Sequence, residues 1–112
     1  MNSVKMLVTY RPKRGSEATL LALVGTHWPA LHKAGLSTAD AVTIYRAMDK
    51  RSGAVSFIEI FSWRDEHAST EAHHDAQIIA VWEPVMPILK SMDLAVVEPA
   101  ESDPHIVFHD FG

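Results

Sequence analysis

The chain has 112 residues, of which 47% are hydrophobic and 21% charged, and it contains no cysteine. This length accommodates one domain with a substantial core. The formal net charge of -4 argues against a nucleic-acid partner, and the lack of cysteine excludes disulfides, thiolate zinc sites and thiol nucleophiles. We identify no signal peptide and no apolar run near the ~20 residues that span a bilayer, so we expect a cytoplasmic protein with no membrane partner.

The first half of the domain is predicted to contain a strand and a helix. Residues 4–10 are rich in β-formers and are followed by a Pro- and Gly-containing turn. Ser16 suits a helix N-cap, and apolar residues then recur at helical spacing until Gly35, a typical helix stop. Pro29 lies inside this pattern and predicts an irregularity near Trp28.

The second half is predicted to contain a hairpin, a helix and a final strand. Residues 41–48 and 54–63 are β-like and are joined by a polar turn of hairpin length. Asp65 is predicted to cap a helix that runs to about Glu83, and two prolines then allow only a short extra turn. Residues 94–98 form the predicted last strand.

The element order is therefore strand, helix, strand, strand, helix, strand. This order predicts an α+β, ferredoxin-like βαββαβ fold, a four-stranded antiparallel sheet with two helices on one face. We assign residues 1–99 to this domain and residues 100–112 to a C-terminal tail. The tail contains apolar residues that favour docking, namely Ile106, Val107, Phe108 and Phe111.

The predicted sheet has more apolar surface than two helices can cover. Side chains alternate between the faces of a strand. One face of the third strand has Val55, Phe57, Glu59, Phe61 and Trp63, and the other has Ala54, Ser56, Ile58, Ile60 and Ser62. If the aromatic face were uncovered, it would expose several hundred square ångströms of apolar surface, so we expect a homodimer packed sheet to sheet.

The most informative motif runs from the third strand into the second helix. Trp63 ends the strand, Asp65 follows two residues later, and the pair Ala72 and His73 lies within the helix. This pattern resembles the antibiotic-biosynthesis-monooxygenase-like branch of the dimeric α+β barrel superfamily, over residues 4 to about 98. The resemblance implies the fold described above. The superfamily includes cofactor-independent oxygenases of polyketide-like phenols, haem-degrading enzymes and isomerases.

Three residues are candidates for catalysis. His73 lies on the flank of the apolar stripe of the second helix, where an imidazole could act as a general base on a phenolic or enolic proton. Tyr45 or Arg46, on a central strand, could stabilise a developing oxyanion. The alternative for His73 is an ordinary surface histidine.

Four further residues are candidates for a substrate pocket. Phe61 and Trp63 could stack on a flat substrate, although aromatic side chains at strand positions also serve as plain core. His27 lies within the apolar stripe of the first helix and is either a satisfied core residue or a second base. Glu59 shares a face with aromatics and needs a cationic partner such as Arg46, Arg11 or a charge from a second subunit.

The helical spacing of His67, Glu71 and His74 could place three metal-ligating groups on one face. That face is predicted to point to solvent, so we expect no metal and no cofactor. The leading hypothesis is a cofactor-independent monooxygenase-like enzyme for a small aromatic or polyketide-like substrate. One alternative is a non-enzymatic, small-ligand-binding or stress-related dimer. A haem-binding or haem-degrading enzyme ranks lower. For that activity the resemblance implies an asparagine on the first strand and a haem-ligating histidine on the second helix, and this sequence has Val8 or Thr9 and Trp82 in those regions.

Overall fold

The computed structural model describes residues 2–100. Its four strands form one antiparallel sheet in the order β2-β3-β1-β4. Helices pack on one face of this sheet, which confirms the predicted α+β ferredoxin-like arrangement. The elements in chain order are β1 (Val4–Pro12), α1 (Glu17–Val24), α2 (His27–Lys33), β2 (Thr43–Met48), β3 (Val55–Trp63), α3 (Ala68–Ala72), α4 (Ala76–Trp82), a 3-10 turn (Met86–Ile88) and β4 (Leu89–Val96).

The first predicted helix is divided into α1 and α2, as its proline indicated, but the break lies earlier than expected. It occurs at Gly25 and Thr26, ahead of Trp28. Pro29 lies in the first turn of α2, where a backbone N–H would have no helical partner and a proline is tolerated. Gly35 adopts a φ of 74° just after α2, which confirms it as the helix stop.

The second predicted helix is also two helices, which the sequence analysis did not anticipate. Asp65 accepts a hydrogen bond from the backbone N–H of His67 at 2.8 Å, ahead of α3. The chain then leaves the helical path and restarts at Asp75, whose carboxylate accepts hydrogen bonds from the N–H groups of Gln77 and Ile78. Asp75 is therefore the side-chain N-cap of α4, whereas the N-cap position of α3 is His67 and the predicted cap Asp65 lies two residues before it.

The predicted last strand was wrong in its boundaries, because β4 begins at Leu89, immediately after the 3-10 turn. This edge strand is largely exposed, so its apolar and polar residues do not show the regular alternation of a half-buried strand. No helix among residues 2–100 is long and apolar enough to cross a membrane.

The aromatic face of β3 is the face that the helices cover. Phe57, Phe61 and Trp63 are all buried within the single chain, so these aromatic side chains need no second copy to cover them. The opposite face of β3 has Ile58 and Ile60, which are only half-buried. Any second copy would therefore have to cover this opposite face. The predicted tail lies almost wholly outside the described residues.

Candidate functional site

A cavity of about 320 Å³ lies between the sheet and the helices. Its walls come from β1, the end of β3, β4, the first helical pair and the segment from α3 to the 3-10 turn. Most of the wall is apolar, and it includes Met6, Val8, Leu23, Val81, Met92 and Leu94. The few polar groups of the wall therefore decide what chemistry the cavity can support.

Glu59 lies behind the cavity wall with 0% of its surface exposed. Its Oε1 accepts a hydrogen bond of 2.7 Å from the hydroxyl of Tyr10. Nδ1 of His27 lies 2.9 and 3.0 Å from the two carboxylate oxygens. Among residues 2–100, neither predicted arginine is a hydrogen-bond partner of this carboxylate, since Arg11 pairs with Asp93 at 2.6 Å and Arg46 makes no bond to Glu59. Tyr10 and His27 therefore take the place of the predicted arginine partner.

The hydrogen-bond partners of His27 determine its tautomer. The indole Nε1–H of Trp82 donates to Nε2 of His27 at 2.9 Å. An indole nitrogen is a donor only, so Nε2 must be the unprotonated ring nitrogen. The single ring proton of neutral His27 is then on Nδ1 and is donated to Glu59. Four side chains thus form one hydrogen-bonded chain, from Tyr10 through Glu59 and His27 to Trp82.

Tyr10 is held in its protonated form by its surroundings. Burial raises the pKa of the Tyr10 phenol well above its usual value, and both the charge of Glu59 and the hydrogen bond to it raise the pKa further. A phenol that stays protonated is a permanent donor to the buried carboxylate.

His73 lies at the C-terminal end of α3, where it is exposed and also lines the cavity. Its ring centroid is 4.9 Å from that of Trp82. Ser69, one helical turn earlier, also lines the cavity. The structure therefore brings His73 and His27 to the same cavity, with Trp82 adjoining both rings.

The two aromatic candidates differ in position. Trp63 lines the cavity, whereas Phe61 lies beside it. The Phe61 ring packs edge-on against Trp63 at 5.0 Å and against His27 at 5.4 Å between centroids. Phe61 therefore supports two wall residues from behind.

Tyr45 and Arg46 are not brought to the cavity. Both lie on β2, the edge strand at the opposite side of the sheet from β4. The Tyr45 ring is 56% exposed and is paired with Ile58 on the uncovered face. An oxyanion in the cavity would have to use other donors.

The three residues weighed as metal ligands do not form a cluster. Glu71 makes an ion pair with Arg64 at 3.0 Å, and His67 lies 3.4 Å from Glu66. Over residues 2–100, no group of three or more His, Asp or Glu side chains is arranged to hold a metal ion.

Sequence reasoning missed Tyr10 and Trp82 as site residues. Tyr10 continues the alternation of Met6 and Val8 along β1, which could have placed it on the buried face beside Glu59. Trp82 gave no comparable signal, because its partner His27 is 55 positions away in the chain.

Searches against family models and against curated proteins found no match. Solved structures do match. A mutant form of SnoaB, a cofactor-independent oxygenase from Streptomyces nogalater, has a TM-score of 0.70 at 13% identity, covering 94% of this chain and 100% of that one. An antibiotic biosynthesis monooxygenase has a TM-score of 0.65 at 12% identity, covering 88% and 99%. This chain has the antibiotic-biosynthesis-monooxygenase-like fold.

The fold is shared by proteins without an assigned activity. A NIPSNAP-family protein with unknown function from Agrobacterium tumefaciens matches with a TM-score of 0.63 at 13% identity, covering 94% of this chain and 95% of that one. The expected resemblance is thus confirmed for the fold. The reaction must be argued from the residues of this cavity.

Proposed function

We propose that this protein is a cofactor-independent, monooxygenase-like enzyme that acts on a small, flat phenolic or polyketide-like molecule. The observation that carries the proposal is an apolar cavity of about 320 Å³ whose wall contains two histidines, His27 and His73. Small-molecule sites are typically apolar, with a few polar groups that orient the ligand. Trp63 and Trp82 add aromatic surface for a flat ring system.

The proposed chemistry needs a proton acceptor and a dry site. A base removes an acidic proton from the substrate, and the resulting carbanion forms a C–O bond with dioxygen. The hydroperoxide then loses water and leaves a carbonyl group. A CH₂ carbon is thereby oxidised by four electrons, and dioxygen supplies the carbonyl oxygen and the oxygen of the water. The apolar wall would exclude solvent from the anion.

The test of this proposal is to measure oxygen uptake with a quinol-type or polycyclic phenol substrate and to analyse the product by mass spectrometry. Leu94 is 63% exposed and lines the open side of the cavity, so Leu94→Trp should fill the cavity without disturbing the core. We expect at least a tenfold loss of turnover, about 1.4 kcal/mol in the barrier.

The matched control for this variant is Val96→Trp, two residues along the same face of β4. Val96 is 67% exposed and does not line the cavity. We expect this variant to keep its turnover. Equal rates in the two variants, or no oxygen uptake by the wild-type protein, would contradict the proposal.

A non-enzymatic ligand-binding protein is the second candidate. It is favoured by the hydrogen-bonded chain, because Tyr10, Glu59, His27 and Trp82 already satisfy one another without a substrate. In that case the wild-type protein would bind the phenol and Leu94→Trp would not, while oxygen uptake would equal that of a protein-free solution.

We also propose a homodimer joined through the uncovered face of the sheet. Support comes from Ile58 and Ile60, half-buried at the centre of that face, and from their neighbours Tyr45 and Leu7. Apolar side chains in the middle of a sheet face favour burial against another protein surface, here that of a second copy.

A further inference from the structure

We infer that His27, backed by Glu59, is the proton acceptor of the cavity, and that the Trp82 indole is a displaceable cover over it. In this assignment the acidic O–H of a bound phenol takes the place of the indole N–H at Nε2 of His27. The inference rests on the proposed function, because it requires that the cavity takes a phenolic molecule.

The orientation of the imidazole supports this assignment. Nδ1 is turned inward to the fully buried carboxylate of Glu59, at 2.9 and 3.0 Å. Nε2 therefore points away from Glu59, toward Trp82, and both His27 and Trp82 belong to the cavity wall. The Nε2 lone pair thus lies on the cavity side, where it accepts the hydrogen bond from the Trp82 indole.

The surroundings of Glu59 explain why a proton would move to His27. Within the described part of the chain, the hydrogen-bond partners of Glu59 are Tyr10 and His27, and no lysine or arginine contacts it. A buried anion with only neutral donors lacks a counter-ion. When the phenol O–H bond breaks and an N–H bond forms at Nε2, the electron pair stays on the phenolate oxygen and His27 becomes a cation beside Glu59. A carboxylate in this position stabilises the imidazolium, as in the catalytic triad of serine proteases.

The Trp82 indole is well placed to move away from Nε2 of His27. Trp82 is the last residue of α4 and is only half-buried, at the periphery of the core. The bond that is lost joins two neutral groups, whereas the hydrogen bond between the imidazolium and a phenolate is charge-assisted and stronger.

His73 lacks these features. It is exposed at the cavity rim, and no carboxylate of residues 2–100 makes a hydrogen bond or an ion pair with it. His73 also lines the cavity beside Trp82 and is therefore the competing candidate for the base.

The experiment uses 4-nitrophenol, whose phenolate absorbs visible light, at a pH well below the pKa of the phenol in water. We expect the phenolate band to appear when 4-nitrophenol binds to the wild-type protein and to the control His74→Gln, which changes an exposed histidine that does not line the cavity, and to be absent with Glu59→Gln. Trp82→Phe should keep the band and bind the phenol about fivefold more tightly, because no indole hydrogen bond must be broken.

Nitrogen-15 NMR of His27 in the wild-type protein supplies a readout that does not depend on the folding of a variant. Binding of 4-nitrophenol should change the ring from the neutral Nδ1–H form to one with two N–H groups. A phenolate band lost in His73→Gln and kept in Glu59→Gln would overturn the inference and leave the proposed function standing. A bound phenol that stays neutral would also overturn it. If no phenol binds, the proposed function fails, and the inference fails with it.

Discussion

Glu59 is a carboxylate without contact with water, and its place in the core depends on two neutral donors. Tyr10 is one of them, and its raised pKa means that it stays protonated in the folded protein. In the unfolded chain a tyrosine ionises with a pKa near 10. The unfolded state therefore loses a proton above about pH 10 while the folded state keeps it, so stability must fall as the pH rises.

We expect the free energy of unfolding to decrease above about pH 10, by up to ~1.4 kcal/mol per pH unit. Tyr10→Phe should be less stable at neutral pH by about 1–3 kcal/mol, because a buried carboxylate loses a donor, and should lack this tyrosine contribution to the alkaline slope. Tyr45→Phe is the control, since that ring is 56% exposed and lies on the other face of the sheet. Urea denaturation at neutral pH and across the alkaline range measures the free energy of unfolding and its change with pH. If that free energy fell equally steeply with pH in Tyr10→Phe and Tyr45→Phe, the assignment would be contradicted.

Helix α4 brings Trp82 to His27, and its start depends on Asp75. The Asp75 carboxylate accepts hydrogen bonds of 2.9 and 3.2 Å from two N–H groups of the first turn. This cap gives the short helix a defined beginning after the break that follows α3.

We expect Asp75→Ala to lower the free energy of unfolding by about 1 kcal/mol, since the cap is lost. Asp75→Asn should stay within a few tenths of a kcal/mol of the wild type, because asparagine is an equally good cap. Denaturant unfolding compares the two variants. If asparagine proves as destabilising as alanine, the charge of Asp75 rather than the cap is what matters.

The whole molecule leaves one sheet face without a layer above it. Ile58 lies at the centre of this face, opposite Thr9 of β1 and Tyr45 of β2. Placing a lysine there would put a charge into the middle of the proposed dimer interface.

We expect the wild-type protein to sediment as a dimer at micromolar concentration and Ile58→Lys to sediment as a monomer. Thr70→Lys adds the same charge at an exposed position of α3 and should leave the dimer intact. Analytical ultracentrifugation decides between these outcomes, and a monomeric wild-type protein would remove the dimer proposal.

Much of the fold could be predicted because its signals are local. The polar turn before Gly53, the stop at Gly35 and the alternation along β3 each involve neighbouring residues, and the observed strands β1, β2 and β3 follow them closely. The break before Asp75 and the early start of β4 were missed. A cap in mid-helix and an exposed edge strand both lack strong hydrophobic periodicity.

The sequence alone was sufficient for the order of elements, the fold class and the placing of Glu59 among aromatic residues, because short-range periodicity controls all three. Only the tertiary structure decided which face of β3 is buried and which groups satisfy Glu59. Its partners Tyr10 and His27 are 49 and 32 positions away in the chain, and Trp82 reaches His27 from 55 positions away. Contacts of that length depend on strand register and on how helices settle on the sheet, which no local pattern specifies.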